Sequence, residues 1–219
     1  MLYQLAQELL ARNIHLVSTD EMTGIQALER LKPKKLVKPG YVEQQEFEYI
    51  RHGTQTLIAN WHVGLGKVIS PTIQATRTEK DFVEHIRETV ATAPQAGWIF
   101  VLDQLNIHRS ESLVRFVAEQ CELKIDLGEK GHRGILQSMS SRAAFLSDKN
   151  HRIRFVYVPK HTSWLNQIEC WFSILVRRLI KRSSFLSTED LKQKILDFIE
   201  YFNQYFGKPF VWKFKGYQD

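Results

Sequence analysis

The sequence predicts an α/β domain built on a mixed sheet, and three observations carry that expectation. Short apolar or β-branched runs recur at 15–19, 98–102 and 153–158. The stretches around them place apolar residues at helical spacing. Two Thr-, Ile- and Val-rich segments, 48–61 and 66–74, flank the turn-prone His62-Val63-Gly64-Leu65-Gly66, as the arms of an antiparallel pair do.

Taken in order, Leu2, Leu5, Leu9 and Leu10 make residues 2–12 an amphipathic helix, read as a linker (1–14) ahead of the main domain (15–219). His15 to Thr19 is a strand ending at Asp20. The prolines and Gly40 of the basic stretch 32–40 mark a loop. Residues 78–92 carry Phe82, Ile86 and Val90 four apart and form a helix. Trp98 to Leu102 is apolar throughout, as in a strand buried on both faces, and stops at Asp103. Helix returns at 110–120. Residues 121–152 resist assignment except for a short helix at 138–147. Ile153 to Val158 is another buried strand, stopped by Pro159. A long helix from Trp164 to about Arg182 carries Leu165, Ile168, Phe172, Leu175 and Leu179 on one face, and Ser187 or Thr188 caps a last helix, 189–206. This order matches a ribonuclease-H-like layout: a mixed five-stranded sheet flanked by helices, with an insertion (about 121–152) between the fourth and fifth strands.

Composition narrows the class. With 219 residues and 43% hydrophobic content, the chain can bury a substantial core. It has no apolar run of about 18 residues, so no membrane-spanning helix is expected, and its first residues lack the pattern of a secretory signal. Two cysteines, Cys121 and Cys170, without a CxxC pair argue against a disulfide scaffold or cysteine-rich zinc site and fit a reducing cytosol. Cys170 reads as a small buried hydrophobe. The net charge of +6 favours a polyanionic partner, and Arg152, Arg154, Lys160, Arg177, Arg178, Lys181 and Arg182 crowd into residues 152–182.

Two acids stand at strand ends, Asp20 and Asp103. Strand ends at the edge of an open α/β sheet hold side chains rigidly, and a divalent cation relieves the repulsion between carboxylates placed there. Glu169 is the third candidate, on the second turn of the long helix beside its apolar stripe. Each has an ordinary alternative: Asp20 and Asp103 as turn formers or caps, Glu169 as a surface residue. Glu21, Asp126 and Asp148 are other acids in the chain, and spacing alone does not choose among them.

The surrounding residues do choose. VSTDEMTGIQALER (17–30), VLDQLNIHRS (101–110) and YVPKHTSWLNQIECWFSILVRRL (157–179) resemble the DDE transposases of the mariner-like superfamily, in its bacterial insertion-sequence branch. The resemblance implies that Asp20, Asp103 and Glu169 are catalytic and hold two Mg²⁺ ions, with Mn²⁺ as a substitute. It implies cleavage of DNA at transposon ends and strand transfer into target DNA. The partners it implies are terminal inverted repeats, target DNA and a second copy of the chain, with no membrane, in the bacterial cytoplasm at the nucleoid. A decayed or repurposed DNA-binding or dimerisation module is the alternative. Two departures stand out. Gln104 follows Asp103 where the family usually has Asn, and Asp103 to Glu169 (169 − 103 = 66 positions) is longer than the family's common spacing. The extra length falls in 121–152, as a DNA contact or as a packing element. The family's helix-turn-helix end-recognition domains are not in this sequence, as in a truncated copy or the second product of a split frame.

Further residues are candidates by position. His108 and Asn106 suit the scissile phosphate, or a plain loop. Lys160 and His161 precede the helix of Glu169, whose N-terminal amides suit phosphate, with Ser163 as an N-cap. Arg177, Arg178, Lys181 and Arg182 suit contacts to the DNA backbone. Trp164 and Trp171 are candidates for stacking on bases, with packing favoured for Trp171.

Overall fold

A computed structural model describes residues 2–32, 39–40, 48–159 and 162–212. A 3-10 turn (Leu2–Leu5) leads into α1 (Ala6–Ala11). The chain continues through β1 (Ile14–Arg30), β2 (Tyr49–His62), β3 (Lys67–Gln74), α2 (Glu79–Ala91), β4 (Gly97–Leu102), α3 (Glu111–Gln120), α4 (Met139–Leu146), β5 (Ile153–Tyr157), α5 (Gln167–Leu175) and α6 (Thr188–Tyr205). The five strands form one sheet in the order β3-β2-β1-β4-β5. β1 pairs antiparallel with β2 and parallel with β4, and β4 pairs parallel with β5. This is the ribonuclease-H-like mixed sheet that the sequence predicts. Among the described residues, no helix is long and apolar enough to cross a membrane.

The sheet separates two cores. On one face Leu16, Trp61, Ile99, Ile168, Trp171 and Leu175 pack with α1, α5 and α6. On the other, Val17, Phe82, Phe100, Leu113, Leu146 and Phe155 pack with α2, α3 and α4. Adjacent residues of β1 and β4 divide between the two clusters because side chains alternate across a strand. That is why Trp98 to Leu102 reads as an unbroken apolar run: both faces are covered. Helices α2 and α6 open on side-chain caps. Thr78 opens α2 with a reciprocal capping box to Asp81, and Ser187, rather than Thr188, caps α6 through the Asp190 amide.

Three expectations change. β1 does not stop at Asp20 but runs 17 residues, so Asp20 sits within the strand and is anchored by pairing on both sides of it. Beyond Met22 the β1–β2 ribbon bends at register shifts, with Gly24 at φ +66°. The helix expected over 164–182 is three pieces. A 3-10 turn (Ser163–Leu165) precedes α5, and a π-helical turn (Val176–Ile180) follows it, closed by Lys181 N donating to Val176 O at 2.9 Å. Cys170 is exposed, not buried. The 121–152 segment does lie between β4 and β5, and it buries Leu136, Phe145 and Leu146 in the second core. It is therefore a packing element, whatever else it does.

Phe100, on the central parallel strand, is fully buried and stacks on Trp98 at 5.8 Å and on Phe155 at 5.2 Å. Phe100→Ala leaves a cavity under α3 and α4, at an expected cost of about 3–5 kcal/mol. Urea unfolding checks this; a loss below about 1 kcal/mol would contradict the two-core account.

Candidate metal centre

The site begins with the alternation of Leu16-Val17-Ser18-Thr19-Asp20-Glu21. Ser18 and Asp20 face α5, whereas Thr19 and Glu21 face the α2 side. Ser18 accepts a hydrogen bond from the Ile168 amide at 2.9 Å and donates to the Asn166 side-chain oxygen. Asn166, fully buried, donates its amide to Thr19 O at 2.8 Å and to Asp20 Oδ2 at 3.1 Å. This clasp sets the start of α5 against the middle of β1. It places Glu169 in the first helical turn, where the helix's positive end favours a carboxylate. Behind β1, Thr19 donates to Asn60 Oδ1 at 2.6 Å, and Asn60 donates to Thr89 Oγ1 at 2.8 Å. The strand carrying Asp20 is thus held from both faces.

Asp103 follows β4 directly. Its Oδ1 accepts from the Leu105 amide at 2.9 Å and lies 2.8 Å from His108 Nδ1. The other ring nitrogen, Nε2, is 2.9 Å from Glu21 Oε1, and the His108 and Glu21 side chains are wholly buried. Arg77 approaches Glu21 Oε2 at 3.8 Å. Tyr157 Oη donates to His108 O at 2.8 Å, fixing the 3-10 turn Asn106–Arg109 beneath the site.

Electrostatics ties the three predicted acids together. Burial pushes the Asp20 carboxyl up to about 7, and the charges of Glu21, Asp103 and Glu169 add to it. Burial also raises Glu169, with Asp103 contributing. Asp103 goes the other way. Its burial is outweighed by the His108 and Leu105 hydrogen bonds and by the positive charges of His108 and Arg77, which hold it below the usual carboxylate range. For His108, burial disfavours the charge, but hydrogen bonds and charges from Asp103 and Glu21 win and raise it to about 9. At neutral pH the ring is an imidazolium between two carboxylates.

Asp20, Asp103 and Glu169 therefore lie within electrostatic reach of one another, beside the end of β4. Glu21 and Asn166 are the residues that sequence reasoning missed as members of the site. Glu21 was visible only as one acid among several. Asn166 had the residue type of a helix cap just ahead of an amphipathic stretch, yet its side chain serves β1 rather than its own helix. Gln104 donates its amide to Val158 O at 3.0 Å, linking the ends of β4 and β5. Asn106 is exposed beside the site, whereas His108 has both ring nitrogens engaged inside it. Arg177, Arg178, Lys181 and Arg182 are exposed at the end of α5. Trp164 is exposed, and Trp171 is core. Lys160 and His161 lie outside the described residues, and Asn166, not Ser163, stands at the N-cap of α5.

The donor set is all carboxylate oxygen, the chemistry hard divalent cations prefer. Asp20, buried, and Glu169, half-buried, have no cationic partner among the described residues, and a nearby cation relieves such carboxylates. Among the described residues, no three acidic, His or Cys side chains are already drawn together as a metal cage. The fit lies in donor type and placement, with Asp103 turned toward His108.

On this fold a buried Asp20 and the half-buried Asp103 and Glu169 stand beside the end of β4, an oxygen-rich acid set. The chain belongs to the DDE superfamily endonuclease family, whose profile matches residues 15–192. Its fold is similar to that of the Mos1 transposase catalytic domain, in a structure with raltegravir and Mg, at a TM-score of 0.50 and 10% identity; the match covers 90% of this chain and 80% of that one. A second structure, the catalytic domain of Mos1 mariner transposase, matches at a TM-score of 0.49 and 11% identity over 90% of this chain and 78% of that one. No curated protein sequence matches significantly.

Two outcomes follow from the electrostatics. The folded pKa of Asp20 lies above its unfolded value, so its contribution to stability is fully present below about pH 4 and is lost as pH rises through about 7. Metal-free Asp20→Asn should therefore be more stable than the parent at pH 8, by up to about 4 kcal/mol, with the gap closing near pH 4. Denaturant unfolding at the two pH values checks it, and an equal gap at both would refute it. Replacing His108 with Ala leaves Glu21 and Asp103 facing each other without the cation between them. The expected loss at pH 7 is about 3 kcal/mol, read by the same method; a change within 0.5 kcal/mol, roughly what a surface substitution gives, would sink it.

Proposed function

We propose that this chain is a transposase catalytic domain that cuts DNA at transposon ends and joins the freed 3′ ends to target DNA. The observation that carries it is the placement of Asp20 mid-strand on β1, Asp103 just past β4 and Glu169 in the first turn of α5, with the Asn166 amide joining Asp20 to the start of that helix. Divalent ions bound there, Mg²⁺ or Mn²⁺, would supply an activated oxygen nucleophile and stabilise the leaving oxygen of an in-line displacement.

The chain's own residues do the rest. Asn166 holds Asp20 in one rotamer, and His108, backed by Glu21, holds Asp103. Beside Glu169 runs an open groove of about 590 Å³, lined by Met22, Phe172, Ser173, Val176, Arg177 and Lys181. Its two cationic side chains suit backbone phosphates, which set affinity and register without reading sequence. Arg177 donates its Nε to Ser173 O at 3.1 Å, which fixes the guanidinium near the groove. Arg178 packs over Phe206 at 4.8 Å, and Arg182 donates to Arg177 O at 3.1 Å. The sequence motifs support a place in the bacterial insertion-sequence branch, and hence action at the nucleoid as a homodimer on paired ends.

One observation favours the second reading, a DNA-binding module without catalysis: Asp103 already spends an oxygen on His108. Calorimetry with Mn²⁺ and DNA separates the two, since a chain that binds no metal even on DNA is the silent module. For the catalytic reading, Asp20→Asn, Asp103→Asn and Glu169→Gln should each abolish Mg²⁺-dependent cleavage of end DNA. Products joined to a supplied 3′-hydroxyl end should appear only with the parent. Cleavage surviving in one variant removes that residue from the set, and cleavage without joining makes the protein a hydrolytic nuclease.

A further inference from the structure

The carboxylates stand toward one end of the parallel strands. At the other end β1, β4 and β5 begin, with Ile14 opposite Gly97 and Trp98 opposite Ile153. Ile14 and Asp20 are six residues apart on β1, about 20 Å at roughly 3.3 Å per residue. There a cleft of about 340 Å³ is lined by Arg12, Lys149, His151, Arg152 and Arg154, with Gly97 and aliphatic side chains, and by no acid.

These cations come from three places: the end of α1, the turn before β5 and β5 itself. The Arg152 guanidinium is fixed, donating to Ala96 O and to Gln120 O, each at 2.9 Å, and neither bond neutralises its charge. Arg12, Lys149 and Arg154 make no ion pair among the described residues. His151 Nδ1 is buried without a hydrogen-bond partner. Cations gathered in a concavity, without counter-charges lining it, repel one another and raise the local concentration of anions. Planar guanidiniums match phosphate oxygens in pairs. Alongside its aliphatic positions, every polar side chain of this lining is basic, which favours an anionic backbone over the mixed-charge rim of a protein partner.

We propose that this cleft binds the phosphodiester backbone of a second DNA segment, separate from the one at the carboxylates. The proposal rests on the reading that DNA is the substrate. One short duplex does not serve both places, since DNA with a persistence length of about 150 bp does not fold around the edge of a domain cheaply.

The test is a metal-free titration of short duplex against the parent and the triple variant Arg12→Ala/Lys149→Ala/Arg154→Ala, which leaves the anchored Arg152 in place. All three replaced side chains are at least partly exposed, and an unchanged melting temperature verifies the fold. The parent should bind two duplexes per protomer and the variant one. The slope of log affinity against log salt should shrink by about 2–3, roughly 0.9 for each phosphate that the variant no longer neutralises. Cleavage of a short end duplex at saturating DNA should be unchanged. A charge-keeping set, Arg12→Lys/Lys149→Arg/Arg154→Lys, should retain both stoichiometry and slope. Unchanged slope and stoichiometry in the alanine variant would overturn the proposal. So would loss of poly-glutamate binding with DNA binding intact, which would assign the cleft to an acidic protein segment. If Arg177→Ala/Lys181→Ala weakens DNA binding and the triple variant does not, only this proposal fails. A parent that binds no duplex at all fails the functional reading as well.

Discussion

The constraint on which this structure turns is the cost of gathering carboxyl groups at a partly buried sheet edge. Two unit charges 4 Å apart repel by roughly 4 kcal/mol at the effective dielectric near a protein surface, and Asp20, Glu21, Asp103 and Glu169 all contribute. The protein meets that cost in two ways. On the α2 side it inserts a cation, the His108 imidazolium, between Glu21 and Asp103. For Asp20, among the described residues, it supplies neutral donors, the Asn166 amide and the Glu21 backbone N–H. The first compensates charge, whereas the second fixes position and leaves the charge unbalanced.

The division follows from the pleat. Because neighbouring residues of β1 face opposite ways, Asp20 and Glu21 cannot share a partner. Asp103, one residue past the end of β4, shares His108 with Glu21 on one side and lies within electrostatic reach of Asp20 and Glu169 on the other. The polar residues Ser18, Thr19 and Asn60 on otherwise apolar strands follow from the same geometry. They lock β1 to α5 and to α2, and a buried polar group is tolerated only with such partners. A single-residue slip of β1 would exchange the two faces and dismantle the site and both cores together.

How much of this the sequence showed depended on whether the signal was local. Trp98 to Leu102 announced a doubly covered strand, and Asp103 its end, because an apolar run and the residue after it are adjacent in the chain. Ser187 was legible as one of two cap candidates, since its partner Asp190 lies three residues on. The length of β1 was not legible. Residues 21–30 mix polar positions with Met22, Ile25, Ala27 and Leu28 around Gly24 and two register shifts, so they show no clean strand alternation, and β2 pairing makes them strand. The π-helical turn is equally silent, for its residues keep the spacing of an ordinary helix. Cys170 was misjudged because its neighbours Ile168, Trp171 and Phe172 are core, while its own position faces outward. Glu21 and Asn166 needed tertiary knowledge: their partners are 87 and about 148 positions away. In the segment 121–152, Leu136, Phe145 and Leu146 are spaced too irregularly to reveal a buried face.

The two kinds of support also give the edge a direction. With Asp103 compensated by His108, the unbalanced negative charge rests on Asp20 and Glu169, both on the α5 side. That is the side on which Arg177 and Lys181 line the groove beyond Glu169. A phosphodiester in the groove would meet cations along its backbone and an acid pair at one point. Those acids repel an anion unless a divalent cation stands between, so metal and DNA would each make room for the other. The π-helical turn matters here because it begins at Val176, at the groove. A wider turn there rotates Arg177 and the residues after it relative to α5, so backbone geometry sets the orientation of the basic side chains while Asn166 and His108 orient Asp20 and Asp103.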